Sequence, residues 1–286
     1  MKSAKIGGVP VEFLRSVFQM LDASMERPTM LGWFHIMWLI ISIGGAIVLS
    51  LWHRRHPADR QRKVLLITTI IVIVLEIYKQ LNFSVCYTEG LSWDYQWYAF
   101  PLQFCSTPMY VGLLAALTKK GRIHEAACAY MTTFSLFAGA AVMVYPGDVF
   151  IDTIGINIQT MVCHGSMIFL AIYLMATGYV KLGFKTVLKA IPVFAFFLLV
   201  AMGMNEWAFQ SGLLETEGFN MFYISPHQPG HLPLYSNVQA VVPYPWSLVI
   251  YIIGFAAAAY VMQLLAMLVW LIARKISQKP AVEQTA

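Results

Sequence analysis

The chain has 286 residues, 59 % of them apolar and only 12 % charged, where a typical soluble domain carries about 25 % charged residues. A surface so poor in charge needs lipid as its solvent, which excludes an ordinary soluble enzyme or binding module. The formal charge of +5 would suit a nucleic-acid binder, but the placement of the basic residues assigns it to membrane surfaces, so no nucleic-acid partner is expected.

Residues 1–30 are polar to amphipathic. Val11, Leu14, Phe18 and Leu21 recur at helical spacing among Glu12, Arg15, Gln19 and Asp22, a pattern that predicts an interfacial helix broken by Pro28. The first apolar run starts near Leu31, too late for the core of a secretory signal, and no cleavage site follows it. Runs of roughly 20 apolar residues are needed to span a bilayer. They are found at about 31–52, 64–83, 101–118, 126–145, 158–180, 186–205 and 247–272.

Lys and Arg orient these spans. Arg54, Arg55, Arg60, Arg62 and Lys63 follow the first, and Lys119, Lys120 and Arg122 follow the third. Lys181, Lys185 and Lys189 follow the fifth; Arg274, Lys275 and Lys279 follow the seventh. The alternate connections, 84–100, 146–157 and 206–246, hold no Lys or Arg and carry Glu89, Asp94, Asp148, Asp152, Glu206, Glu215 and Glu217 instead. The expected architecture is therefore all-α, a polytopic bundle of seven transmembrane helices with the N-terminus outside and the C-terminus cytoplasmic. It divides into an interfacial segment 1–30, a transmembrane domain 31–274 and a tail 275–286, with multi-pass localisation in a cell membrane.

The connection 206–246 is long for a loop and contains the apolar run Phe219 to Ile224 as well as five prolines. It reads either as a lid folded back on the bundle or as a solvated loop.

Ionisable groups inside a span are costly and mark either packing pairs or function. Glu76 and Lys79 lie at i and i+3 on one face, which suits an ion pair that fixes packing or orients a substrate. On an ideal helix Gln103, Ser106, Thr107 and Tyr110 form a polar stripe, and Cys105 points about 160° from Gln103. A lone membrane Cys is ordinarily a small buried hydrophobe. Asn157, Thr160 and His164 share a face of the fifth span, and His35 stands near the start of the first. His35, Cys105, His164, Glu76 and Lys79 all fall within roughly 6–10 Å of the outer boundary, and Asn205 and Glu206 end the sixth span at the same level. One polar layer in one leaflet, beneath a long loop, reads as a site opening outward.

Three motifs resemble the YwaF-like family of bacterial multispanning membrane proteins, which is similar to an animal acyltransferase acting on ether phospholipids. Glu76-Ile77-Tyr78-Lys79 is like the family's Glu-x-x-Lys, and Pro101-Leu102-Gln103-Phe104-Cys105 is like its Leu-Pro-Leu-His-Leu-Cys. Gly218-Phe219-Asn220-Met221-Phe222-Tyr223, followed by Pro226, is like its Gly-x-Asn-Tyr-x-Phe-Leu before a proline. The resemblance implies a bacterial plasma-membrane protein in which Cys105 is the acyl-accepting nucleophile and His164 its base. Gln103 departs from the family's His.

The function expected is phospholipid acyl transfer or acyl hydrolysis without a cofactor, with Lys79 or Asn220 serving the oxyanion or a phosphate. The alternative is a transporter or binding protein for a small molecule or lipid, although neither an inverted repeat nor a polar path through the cytoplasmic half is visible. His227 and His231 have metal-ligand spacing, but Pro229 and Gly230 between them oppose a helix. The absence of Lys inside the seventh span excludes a retinal protein. A purely structural membrane protein would have a polar layer that satisfies itself. Cys86, Cys105 and Cys163 leave a disulfide open, and nothing in the sequence bears on oligomeric state.

Overall fold

The computed structural model describes residues 5–6, 9–53, 59–87, 91–212, 218–228, 230 and 232–277. Arg54, Arg55, Glu89, Glu215, Glu217, Pro229, His231 and Lys279, singled out above, lie outside the described residues. Six helices among the described residues are long and apolar enough to cross a bilayer: Trp33–His53, Arg60–Ser84, Arg122–Val144, Ile154–Ala176, Thr186–Gln210 and Trp246–Val269. The expected third span is the shorter apolar helix Phe104–Leu117.

In chain order the helices are α1 (Val11–Leu21), α2 (Trp33–Leu39), α3 (Gly45–His53), α4 (Asp59–Ser84), α5 (Thr107–Leu117) and α6 (Arg122–Thr132). They continue with α7 (Phe134–Val144), α8 (Ile154–Ala176), α9 (Thr186–Gln210), α10 (Tyr235–Val241) and α11 (Trp246–Ser277). Two small hairpins, Lys5–Ile6 with Val9–Pro10 and Val85–Cys86 with Ser92–Trp93, are the strands among the described residues.

Breaks in the helices have local causes. The π turn Ile40–Gly44 joins α2 to α3; there Ser42 donates to the Trp38 carbonyl at 2.7 Å, competing with the backbone ladder. Between α6 and α7, Thr132 donates to the Cys128 carbonyl at 3.0 Å and Thr133 to the Ala129 carbonyl at 2.7 Å. Thr133 leaves helical geometry at φ −127°, ψ −83°, so one span is built from two stacked helices. Pro192 sits inside α9, where its missing N–H loosens the first turns.

The spans Arg122–Val144 and Ile154–Ala176 form the centre, each 72 % buried over its most apolar stretch, whereas Trp246–Val269 is only 11 % buried there. Small residues make this possible, because lipid tails are as apolar as leucine and close backbone approach supplies the packing. A Cβ at Gly139 would stand 2.7 Å from the His164 carbonyl oxygen and from the Met167 Cβ. One at Gly165 would overlap the Ser42 hydroxyl.

The two ends of the bundle differ. Arg60, Arg62, Lys120, Arg122, Lys181 and Lys185 collect where α4, α6 and α9 begin, while the segment 218–228 lies at the other end, here the loop end. At the loop end the N-terminal segment is tied down by Asp22. Its carboxylate accepts from the Tyr87 hydroxyl at 2.6 Å and more loosely from Asn82 and Thr153, both at 3.4 Å. That hydrogen bond holds the Tyr87 phenol above its ordinary pKa. Tyr78 donates to the Leu21 carbonyl at 2.7 Å, and backbone bonds run from Met25 to Asp152 and from Ile154 to Ala23.

Gly139→Ala is expected to lower stability by about 1–3 kcal/mol through overpacking. Gly203→Ala in α9, with nothing within 4 Å of the added Cβ, leaves stability unchanged or raises it. Thermal unfolding of both proteins in detergent checks the pair.

Candidate functional site

Three amides identified from the sequence converge on one loop. Gln103 is extended (φ −69°, ψ 159°) ahead of the short turn Phe104–Ser106, so the ideal-helix geometry that separated it from Cys105 does not apply. Its Nε2 donates to the Asn220 carbonyl at 3.0 Å, and its Oε1 accepts from the Phe222 N–H at 2.9 Å. Asn205, near the end of α9, takes both polar groups of Met221: Oδ1 accepts from the N–H at 2.7 Å and Nδ2 donates to the carbonyl at 2.9 Å. Asn220 bridges within the loop, accepting from the Ser225 N–H at 2.9 Å and donating to the Gln228 carbonyl at 2.8 Å.

These bonds fix an unusual backbone. Phe222 and Tyr223 are both left-handed, at φ 58° and 57°, a conformation that costs about 1–3 kcal/mol at a non-glycine residue. The return is burial: Phe219, Met221, Phe222 and Ile224 are at most 4 % exposed. Phe222 joins an aromatic cluster with Phe104 and Phe194, and both of those pack on Phe255. The connection is therefore folded back onto the bundle. Gln103, Asn205 and Asn220 hold it there.

The carboxylate of Glu76 on α4 accepts at Oε1 from Lys79 Nζ at 2.7 Å and from Gln80 Nε2 at 2.8 Å. At Oε2 it accepts from Gln159 Nε2, on α8, at 3.2 Å. Gln80 also donates to the Ala99 carbonyl at 2.7 Å, fastening the preceding loop to the pair. Glu76 is thus saturated, while Lys79 has Glu76 as its one ion-pair partner among the described residues.

His35 and His164 are both buried but differ in bonding. His35 Nδ1 accepts from the Leu31 N–H at 3.0 Å, so its proton sits on Nε2 and is donated to the Met143 carbonyl at 2.9 Å. Both nitrogens are used, and the residue ties the start of α2 to the end of α7. His164 Nδ1 donates to the Thr160 carbonyl at 2.8 Å, which leaves Nε2 as a bare acceptor. That atom is buried and has no partner.

Cys105 and Cys163 line one apolar cavity of about 10 Å³, with Thr69, Met109 and Met167 among its walls; such a space admits about one water molecule. Cys163 Sγ lies 4.0 Å from the Cys105 carbonyl, and all four cysteines are free thiols. No hydrogen bond joins the Cys105 sulfur to the His164 ring. Cys163, adjacent to His164 on α8, faces this cavity beside Cys105, so the thiols and the start of the imidazole side chain share one neighbourhood.

Elsewhere, Asn157 closes the turn at Ile151 through bonds of 3.0 and 2.7 Å. His227 pairs with Glu206 at 3.0 Å and stacks on Phe209. Among the described residues no three His, Cys, Asp or Glu side chains are grouped to hold a metal.

Sequence reasoning passed over Gln80, Gln159 and Cys163 as parts of this neighbourhood. Gln80 stands at i+4 from Glu76 and was detectable on spacing alone. Gln159 reaches Glu76 through the packing of α8 on α4, which no local pattern encodes. Buried polar groups also extend to the basic half, where Ser50, His53, Thr69, Thr132 and Gln263 are all buried. The expected apolar half is therefore more polar than its sequence suggests.

Six long apolar helices around a buried polar layer define a multi-pass integral membrane protein. A family model described as the TMEM164 family matches residues 30–279. The chain belongs to that family, a family of transmembrane proteins. No curated protein and no solved structure matches it.

Lys79→Met is expected to destabilise the protein by about 3 kcal/mol, because it strands a buried carboxylate. The double variant Glu76→Gln, Lys79→Met recovers most of that loss. Unfolding of the two in detergent measures the difference. Asn205→Leu removes both ties on Met221, at about 1–3 kcal/mol for each polar group left unmet, and is expected to expose 218–228 to limited proteolysis.

Proposed function

We propose that the chain is a membrane enzyme of lipid acyl chemistry, an acyltransferase or acyl hydrolase working through a thioester on Cys105. The observation that carries this reading is His164 Nε2, a buried and unpartnered acceptor fixed by its tautomer in the neighbourhood of a free thiol. Leaving such an atom unmet costs about 1–3 kcal/mol, and a proton-accepting role accounts for it.

In this mechanism His164 Nε2 takes the Cys105 proton. The thiolate sulfur attacks the ester carbonyl of a phospholipid. The carbon–oxygen bond breaks, and His164 returns the proton to the departing alkoxide of the lysolipid. A lipid hydroxyl, or water in hydrolysis, then attacks the thioester; its proton passes through His164 back to the sulfur. Lys79, with ammonium N–H groups beyond the one on Glu76, stabilises the oxyanion or holds the lipid phosphate. The segment 218–228 acts as the lid of the site.

The same reading takes Phe104–Leu117 as a seventh crossing. That helix rises about 21 Å, and the non-helical residues Pro101–Gln103 ahead of it carry the chain onward through a hydrocarbon core of about 30 Å. The resulting topology has the N-terminus and the loop end outside, and the basic end with the C-terminus in the cytoplasm. It fits a bacterial plasma-membrane member of the lineage that the Glu76–Lys79, Cys105 and Gly218–Tyr223 motifs resemble.

The protein is expected to move acyl chains between phospholipids in reconstituted vesicles carrying a labelled acyl donor. Cys105→Ala loses the activity completely, and His164→Gln lowers it by about 100-fold or more. Label should be retained on wild-type Cys105 as a hydroxylamine-sensitive thioester. Full activity of Cys105→Ala on every lipid offered would overturn the covalent mechanism and leave a lipid-binding or transport protein.

A further inference from the structure

At the basic end lies a cleft unrelated to the acyl site. It is open, encloses about 370 Å³, and is walled by Gln61, Lys120, His124, Glu125, Thr177 and Tyr179 among others. The start of α4, the turn between α5 and α6, the first turn of α6 and the end of α8 meet there. Arg62 braces the junction by donating from Nε to the Ala116 carbonyl.

Most polar groups around the cleft are already engaged. His124 Nδ1 donates to the Ala115 carbonyl at 3.0 Å, which leaves its Nε2 to accept the Cys128 thiol at 3.5 Å. Thr177 donates to the Tyr173 carbonyl at 2.8 Å, and Glu125 is paired with Lys189 at 2.8 Å. Two groups are not engaged. Gln61 is only 7 % exposed, and its Oε1 is buried with no partner. Lys120 is exposed and has no ion-pair partner among the described residues. The charge of Arg62 acts on Tyr179 across the same wall.

An uncommitted cation beside a buried, uncommitted acceptor calls for a ligand with an anion at one end and a hydrogen-bond donor a few atoms away. Because the Glu125 carboxylate is already neutralised, the cleft carries net positive charge and selects a net anion. We propose that this cleft binds the phosphoglycerol group, its phosphate held by Lys120 and its hydroxyl donating to Gln61 Oε1. Leu117 and Ile123, 61 % and 63 % exposed on either side of the turn, provide an apolar flank for acyl chains. The group has two sources, the headgroup of phosphatidylglycerol and soluble glycerol phosphate. The inference is independent of the acyl reading, since none of these residues belongs to that site.

The test is native mass spectrometry of the full chain in detergent, titrated with short-chain phosphatidylglycerol, phosphatidylethanol, phosphatidylcholine and glycerol phosphate. Phosphatidylethanol has the same charge as phosphatidylglycerol but no hydroxyl, so it isolates the Gln61 bond without any substitution. Phosphatidylglycerol is expected to bind about tenfold more tightly than phosphatidylethanol, a typical worth for one hydrogen bond to a buried group. Both should exceed phosphatidylcholine. Lys120→Ala, at an exposed position, lowers affinity for both anionic lipids by about tenfold, and Gln61→Met abolishes the preference for the hydroxyl. Binding of glycerol phosphate as tightly as the lipid assigns the site to a soluble ligand; binding of the lipid alone assigns it to the bilayer. Equal affinity for phosphatidylglycerol and phosphatidylethanol, or affinities unchanged in Lys120→Ala, overturns the proposal.

Discussion

Non-helical backbone cannot lie among apolar helices unless each of its N–H and C=O groups finds a partner, because no water is at hand to supply one. In the segment 218–228 side-chain amides supply partners at the most buried residues, Asn220 to Phe222. Gln103 precedes α5 and Asn205 lies on α9, and each donates with one amide atom and accepts with the other, so neighbouring backbone groups are satisfied in pairs. An amide is suited to the task because it carries both functions without a charge that would itself need neutralising. Once clamped, the segment delivers Met221 and Phe222 into the aromatic cluster of Phe104, Phe194 and Phe255, which in turn holds α5, α9 and α11 together. The lid is therefore part of the core that it covers.

The Glu76–Lys79 pair follows the same logic with charge. A buried carboxylate is tolerable only when paired and hydrogen-bonded on both oxygens. Glu76 achieves this by recruiting Gln80 from its own helix and Gln159 from α8. The pair thereby fixes the rotation of α4 against α8 and ties the loop carrying Ala99 to the same point. Lys79 is fastened at one bond only, which leaves the cation as the adaptable partner.

The spans were legible in the sequence because a bilayer demands long apolar runs, and six of the seven runs form long apolar helices. The burial of Phe219–Ile224 was legible as an apolar stretch inside an otherwise polar loop. The role of Gln103 was not: its place in a helical stripe assumed regular geometry, whereas Gln103 is itself extended and α5 begins only at Thr107. Nor was the split of α6 from α7 legible, since adjacent threonines break a helix only when their hydroxyls turn back onto carbonyls, as Thr132 and Thr133 do. The polar groups of the basic half escaped notice because Gln61 and Gln263 are uncharged, and hydropathy alone ranks them with the loops.

His35 and His164 show how far residue type and depth fall short of a role. Both were placed at one level by counting along the helices, and both are buried. At His35 the chain offers the Leu31 N–H from one side and the Met143 carbonyl from the other, so either change of protonation would break a bond that positions the first span. The ring is locked into structure. At His164 the helix offers only the Thr160 carbonyl, which takes the Nδ1 proton, and the buried Nε2 has no partner. The bond to Thr160 thus fixes the tautomer of His164 and leaves its second nitrogen a free acceptor, the difference in bonding that separates two histidines of similar burial.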